Sequence, residues 1–397
     1  MKRLALITGV ALLAAARSWA LYEPAKLPDP SRRWSVSLNT RGEYDDNVDT
    51  SATDKKSSFK AIAEPQLLVN IPTEQTFIGF RYNYQATYYE NRSTDPVDQS
   101  HTADLTVSHT VTPRLVLDFR DSVRRGIEPE LVNDQTGDPF IRRRRGDFLY
   151  NTVGAGVNYN FSRRWTMSVH GDFDYWNYDD AAASVDDRNV YRASLQMDYS
   201  IDPRTTGGIG YQFASVNYSQ PGTNDLRNSD SHIVYLSMVR RFNPQFSVQG
   251  NAGVELREFG DGSTDVGPWV NTSATYNYGP ESSVTLGFRY SITTTEVGFF
   301  RSADAADIYA QLTHRITTKF SVSGGATFSL DSFANPTGVT TLTSPTEETV
   351  SLNLTLRYQF TRWCSGNAGY NFDQVSSDIA GRDFTRNRVS LGCRLEY

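Results

Sequence analysis

From Trp34 to the C-terminus, hydrophobic and polar residues alternate with a period of two. Phe59, Ala61, Ala63, Pro65, Leu67 and Val69 fall on one face of an extended chain, and Lys60, Glu64, Gln66 and Asn70 on the other. Val153, Ala155, Val157, Tyr159 and Phe161 likewise oppose Gly154, Gly156, Asn158 and Asn160. Near the end, Val350, Leu352, Leu354, Leu356, Tyr358 and Phe360 oppose Ser351, Asn353, Thr355, Arg357 and Gln359. This period predicts β-strands, because successive side chains of a strand point to opposite faces. Each run is long enough for a tilted strand to cross a bilayer.

Two kinds of connection separate the runs, and they alternate. Short ones carry turn residues: Pro72-Thr73-Glu74, Thr112-Pro113-Arg114, Ser162-Arg163-Arg164, Asp202-Pro203-Arg204, Asn243-Pro244-Gln245, Gly279-Pro280-Glu281, Thr317-Thr318-Lys319 and Thr361-Arg362. Proline fixes φ and ends a ladder, so these predict tight reversals. Long polar connections fall at roughly 44–57, 90–99, 126–146, 179–188, 219–230, 259–267, 296–304, 331–347 and 375–385. Short turns on one side and long loops on the other are the pattern of outer-membrane barrels, with the turns in the periplasm. The predicted fold is all-β: an antiparallel up-and-down transmembrane β-barrel over 34–397, of about eighteen strands. Aromatic residues flank the turns (Phe161, Trp165, Phe242, Phe360, Trp363) and the loops (Tyr88, Tyr175, Phe259, Phe300), as two interfacial girdles would require. The last run, Val389 to Tyr397, ends on an aromatic and resembles the C-terminal strand read by the outer-membrane assembly machinery.

The N-terminus changes the picture by giving a route out of the cytoplasm. Lys2 and Arg3 precede an apolar run from Leu4 to Ala16, and Ser18 and Ala20 supply small residues for cleavage, so 1–20 reads as a signal peptide. Residues 21–33, with Pro24, Pro28 and Pro30, read as an extended periplasmic leader. Composition agrees: 22 Tyr and 21 Phe against 4 Met and 5 His. A mean hydropathy of −0.49 would exclude a helical membrane protein but not a barrel, whose strands show lipid only every second residue. A net charge of −6 gives no footprint for nucleic acid as a partner. The competing soluble β-sandwich would need a core behind every strand and shorter strands.

Strand parity sends a polar set to the interior. Arg81, Arg120, Arg124, His170, Asp172, Asp174, Arg192, Arg257, Arg289, Arg315 and Arg357 are the candidate pore-lining residues. So many charges imply a hydrated lumen, since dry burial costs several kcal/mol per ion, and a barrel of this size is wide enough for a channel. A barrel plugged by an inward loop is the alternative. The most charged loop carries Arg142, Arg143, Arg144 and Arg145, which could line a constriction or lie outside against lipid A phosphates. Asp45, Asp46, Asn47 and Asp49 offer oxygen ligands at a density suited to Ca²⁺, but their spacing fits a solvated turn better. His170 with Asp172 and Asp174 would suit a hydrolase only with a nucleophile beside the histidine, and no G-x-S-x-G run exists. The reading is a non-enzyme without cofactor. Cys364 and Cys393 lie on strands of the last hairpin at nearly equal distance from its loop, where a disulfide could form in an oxidising compartment.

The first strand and its exit, Asn39-Thr40-Arg41-Gly42-Glu43-Tyr44-Asp45-Asp46-Asn47-Val48, resemble the opening of the putative β-barrel porin 2 family. That resemblance implies an outer-membrane, porin-like channel in a Gram-negative bacterium. It also implies an association with exopolysaccharide production, so that polysaccharide export or passage of small hydrophilic solutes is the expected role. It supplies no functional residues. Outer-membrane lipid, lipopolysaccharide and the assembly machinery are the expected partners, with polysaccharide as cargo. A structural or adhesive surface barrel is the alternative.

Overall fold

Each long alternating run pairs with the next in chain order, antiparallel, and the last returns to the first. The computed structural model describes residues 32–126, 147–179, 184–219, 226–295, 300–335 and 344–397, with the backbone of 131–134 and 138–143. The signal peptide and all of the leader before Arg32 lie outside the described residues.

The wall begins with β1 (Trp34–Asp45), β2 (Ser58–Pro72), β3 (Thr76–Tyr89), β4 (Val97–Thr112) and β5 (Leu115–Gly126). Two short strands, β6 (Leu131–Asp134) and β7 (Asp138–Arg143), form a separate hairpin within the long loop after β5. The wall resumes with β8 (Phe148–Asn160), β9 (Trp165–Tyr178), β10 (Arg188–Asp202), β11 (Thr205–Tyr218), β12 (Ser229–Arg241) and β13 (Phe246–Phe259). It continues through β14 (Thr264–Gly279), β15 (Ser282–Thr293), β16 (Ser302–Arg315) and β17 (Phe320–Ala334). It ends with β18 (Thr346–Gln359), β19 (Cys364–Ser377) and β20 (Phe384–Glu396). Pairing of β1 with β20, from Ser37 opposite Glu396 to Asp45 opposite Arg388, closes an 18-stranded barrel. Closure leaves no strand edge, the condition for a sheet to sit in hydrocarbon.

The outer face is apolar and bare. Leu391 is 73% exposed, and Val266 and Leu236 are each 65% exposed. Such a surface would be a liability in water but is the natural one for a wall bathed in lipid. No helix among the described residues is long and apolar enough to cross a membrane, which has no bearing on a barrel.

The short turns are built by side chains that accept backbone N–H groups. Thr112 Oγ1 accepts from Leu115 (3.1 Å), Asn243 Oδ1 from Phe246 (2.7 Å), and Thr317 Oγ1 from Phe320 (3.0 Å). Asp202 Oδ1 accepts from Arg204 (2.7 Å) in the same way. These local bonds satisfy donors that the ladder drops at the reversal. One loop is shorter than the sequence pattern predicts. The polar stretch 259–267 joins the ladder as far as Thr264, opposite Glu258, because Gly262 adopts φ +80° and reverses the chain within four residues.

Candidate functional site: the lumen wall

All eleven predicted lining residues fall on the face opposite the bare apolar one, as strand parity requires. They do not stand as isolated charges. Arg81 Nε donates to Asp104 (2.6 Å), Arg120 Nη2 to Asp172 (2.6 Å), and Arg192 Nη2 to Asp174 (2.5 Å). Arg257 Nη2 donates to Glu255 (2.9 Å) and to the carbonyl of Ile292 (2.8 Å), and Arg315 Nη1 lies 3.0 Å from Glu281. Arg289 sits opposite Asp307 on the neighbouring strand. Arg124 and Arg357 also face inward, and Arg357 donates to Gln359 (3.3 Å). The wall is therefore a belt of ion pairs, several of them between strands. Charge-assisted bonds of this length are among the stronger contacts a protein makes.

His170 faces the same interior, and Asp172 and Asp174 are held by Arg120 and Arg192. Thr152 donates to Asp174 as well (2.6 Å). Small residues allow this layout. A Cβ on Gly156 would come within 2.2 Å of the His170 ring, and one on Gly154 within 2.4 Å of Asp172. The two glycines of β8 are thus the floor on which the side chains of β9 lie flat.

The belt is not uniform along the barrel axis. At the loop end of the strands the inward side chains are buried, as with Lys60, Phe148, Tyr178, Glu255, Ala305 and Arg386. At the turn end they are accessible, and Asn353, Thr355 and Arg357 are as exposed as outer residues. The loop end is packed by arginines held between rings and carboxylates. Arg92 stacks on Tyr89 (3.7 Å to the centroid) and bonds Asp98 (2.7 Å). Arg227 lies over Tyr218 (4.0 Å) and bonds Asp186 (2.7 Å), and Arg301 lies over Phe259 (4.6 Å) and bonds Asp265 (2.6 Å). Phe300 and Phe333 pack with Ala303 and with Ile379 from the last loop. Burial raises the Asp186 carboxyl above its usual range, against the pull of Arg227, Arg188 and Arg382. Arg227, between β11 and β12, donates to the carbonyl of Thr295 between β15 and β16 (3.4 Å), so separate loops meet in this layer.

The Asp45–Asn47 cluster has a structural use. Asp45 accepts from Arg386 Nη2 (2.5 Å) and lies 2.8 Å from Lys60 Nζ. Asp46 accepts both the backbone N–H and the side-chain amide of Asn387 (2.7 Å each), and Asn47 Nδ2 donates to the carbonyl of Thr385 (3.0 Å). These residues fasten β1 to β20 at the closing seam. Among the described residues no three His, Cys, Asp or Glu side chains converge as a metal site.

One sequence expectation about the site changes. Cys364 stands opposite Leu395 and Cys393 opposite Gly366, so the cysteines are two positions out of register and both are free. Diagonal neighbours in a ladder are about 7–8 Å apart, at or beyond the reach of a disulfide; Cys393 instead contacts Thr40 Oγ1 at 3.4 Å. The constriction arginines fall in the long loop, where β7 takes in Arg142 and Arg143. Their side chains, and Arg144 and Arg145 entirely, lie outside the described residues.

The family model described as Putative beta-barrel porin 2 matches residues 35–397. The chain belongs to this family. The match spans the whole wall, including the seam residues from Asp45 to Asn47 and their partners on the last strand. No curated protein sequence matches this chain. Among solved structures, OccK2 (OpdF) of Pseudomonas aeruginosa, crystallised with glucuronate, is similar at a TM-score of 0.50 and 10% identity, over 91% of this chain and 98% of that one. OpdK of the same organism is similar at 0.48 and 12%, over 94% and 100%. The FrpB iron transporter of Neisseria meningitidis is similar at 0.46 and 11% over 87% of this chain, which spans 62% of that protein. At 10% identity the likeness to OccK2 shows the fold alone, a closed β-barrel. Family and fold together point to the outer membrane.

Proposed function

We propose that this barrel is a porin-like passive channel for hydrophilic solutes, with secreted polysaccharide as its cargo. The observation that supports it is the two-sided wall: bare aliphatic positions outside, and inside, toward the turn end, an accessible polar lining. A lining of that kind holds water. The resemblance of the first strand to a family tied to exopolysaccharide production supports the cargo. No enzymatic role is included, because the carboxylates beside His170 are engaged by arginines.

The test is conductance in planar bilayers. Refolded protein that inserts and gives discrete current steps supports a channel. Folded, inserted protein that never conducts overturns it and favours a closed surface barrel. That second reading draws on the packed loop end, where Arg227, Asp186, Phe300 and Phe333 leave the inward positions buried.

A further inference from the structure

The two rims of the barrel differ in charge. The short turns carry Arg114, Arg163, Arg164, Arg204, Lys319 and Arg362 against Glu74, Asp202 and Glu281. Of those three carboxylates, Asp202 accepts the Arg204 N–H at 2.7 Å and Glu281 meets Arg315 at 3.0 Å. On the described connections after β1, β3 and β9, Asp46, Asp49, Asp54, Glu90, Asp95, Asp179, Asp186 and Asp187 outnumber Lys55, Lys56 and Arg92. Such an arrangement gathers anions at the turn mouth and repels them from the opposite rim.

The register adds a path. Arg315 stands opposite Ser321, Ser321 opposite Arg357, Arg357 opposite Asn367, Asn367 opposite Gly392, and Gly392 opposite Arg41. One ladder row thus crosses six strands, from β16 to β1, with all its side chains on the inner face. Because the strands tilt, the row also climbs. Arg315 ends β16 at the rim, Arg357 is the third residue from the end of β18, and Arg41 is the eighth residue of β1. Short polar residues or glycine separate the arginines: Arg315 and Arg357 are two strand spacings apart, roughly 10 Å, and Arg357 and Arg41 three. Gly392 keeps the row passable: a Cβ there would meet Arg41 Cβ and Asn367 Oδ1, both at 2.7 Å.

We propose that this row is a recognition track for a carboxylate-bearing oligosaccharide arriving from the turn side. The inference rests on the channel reading and names its cargo as anionic. Guanidinium groups match carboxylates in a bidentate fork, and the hydroxyl and amide of Ser321 and Asn367 suit sugar hydroxyls. Several guanidinium groups along one row suit a polymer better than a single small anion. The inward orientation favours a solute over membrane headgroups, which meet only the outer face. Arg315 gives up little on binding, because its contact with Glu281 is an exposed pair of small worth.

The experiment measures binding of a fluorescent oligogalacturonate to the full-length mature barrel in neutral detergent, which does not depend on conduction. Wild type is expected to bind it more tightly than a neutral dextran oligomer of equal length, with affinity falling as salt rises. R315Q and R357Q are each expected to weaken binding about tenfold, the loss of one charge-assisted contact apiece. R240Q, whose guanidinium lies over Phe242 on the outer face, is expected to bind as wild type. Equal affinity for the two oligomers overturns the proposal. So does an unchanged R315Q/R357Q double variant with wild-type heat-modifiable mobility, or abolition of binding by added phosphatidylglycerol, which would assign the cations to lipid. In bilayers, block of the current by oligogalacturonate is expected from the turn side alone. A barrel that binds but does not conduct would sink the channel reading while leaving the track intact.

Discussion

Asp45 and Arg386 join the two ends of the chain: their side chains meet at 2.5 Å across 341 residues of sequence, on the first and last strands of the wall. Both are buried, and Lys60 completes the cluster from β2. A buried pair stripped of one member leaves an uncompensated charge, at a cost of about 3–5 kcal/mol. Asp45→Asn is expected to lower the temperature at which the folded, fast-migrating band gives way to the unfolded one in heat-modifiability gels. A matched loss should follow Arg386→Gln. If either variant keeps the wild-type transition, the seam is not held by this cluster.

Arg227 and Asp186 make the corresponding contact over the lumen, and here pH is the lever. Burial raises the Asp186 carboxyl, so in the folded protein it takes up a proton at a higher pH than in the unfolded chain. The sign follows from linkage. Protonation removes the cost of burying the charged form, so this group's contribution to global stability improves as pH falls through its raised value and is lost as pH rises through it. The same linkage governs local opening: a loop layer that opens returns Asp186 to water and to its ordinary carboxylate range, so acidification from neutral favours the closed layer. Protection of the 184–190 amides, corrected for the intrinsic exchange rate at each pH, is therefore expected to rise in wild type as pH falls, and to stay level in Asp186→Asn. Protection that falls on acidification in wild type would show that burial of this carboxyl does not set the response of the layer.

Gly156 tests the close approach of β8 and β9. A methyl group there would overlap the His170 ring at 2.2 Å, and overpacking of this kind costs roughly 1–3 kcal/mol. Gly156→Ala is expected to destabilise the barrel in urea titrations followed by tryptophan fluorescence. Gly156→Ala with His170→Ala should recover most of the loss, since the ring is then gone. Destabilisation that persists in the double variant would mean that the glycine serves some purpose other than room for the ring.

The strand rhythm was legible because a wall between lipid and water writes period two directly into the residues. Lys60, Glu64 and Gln66 could be sent inward, and Phe59, Ala61 and Ala63 outward, without any contact being known. Pairing partners could not be read in the same way. The last hairpin turns about a point between Ile379 and Ala380, as Val375 opposite Phe384 shows. Equidistance between Cys364 and Cys393 would place the turn one residue earlier, and that single residue displaces the cysteines by two positions. The Tyr44-Asp45-Asp46-Asn47 run could be recognised as a family opening, but its partners Arg386 and Asn387 lie at the far end of the chain. Nothing local marks them as partners. The packed loop end was equally hidden, since it arises where Ile379 packs on Phe300 and Phe333 and where Arg227 reaches Thr295, contacts between separate loops.

The two faces of one strand offer the most direct test of the membrane assignment. Leu391 and Ser390 are adjacent on β20, yet Leu391 is 73% exposed on the outer face and Ser390 points inward. If the outer face is bathed in hydrocarbon, Leu391→Arg places a cation near the middle of the lipid-facing wall, a change worth about 2–4 kcal/mol at the midplane. Ser390→Arg puts the same residue into a lumen already lined by arginines and carboxylates, where water and Glu43 on the adjoining strand receive it. Unfolding by urea in lipid vesicles should therefore shift strongly for Leu391→Arg and little for Ser390→Arg. In a barrel standing in water the order would reverse, since an exposed arginine is harmless there and the inward one would crowd its neighbours. The sign of the difference between two adjacent positions thus decides which side of the wall meets lipid.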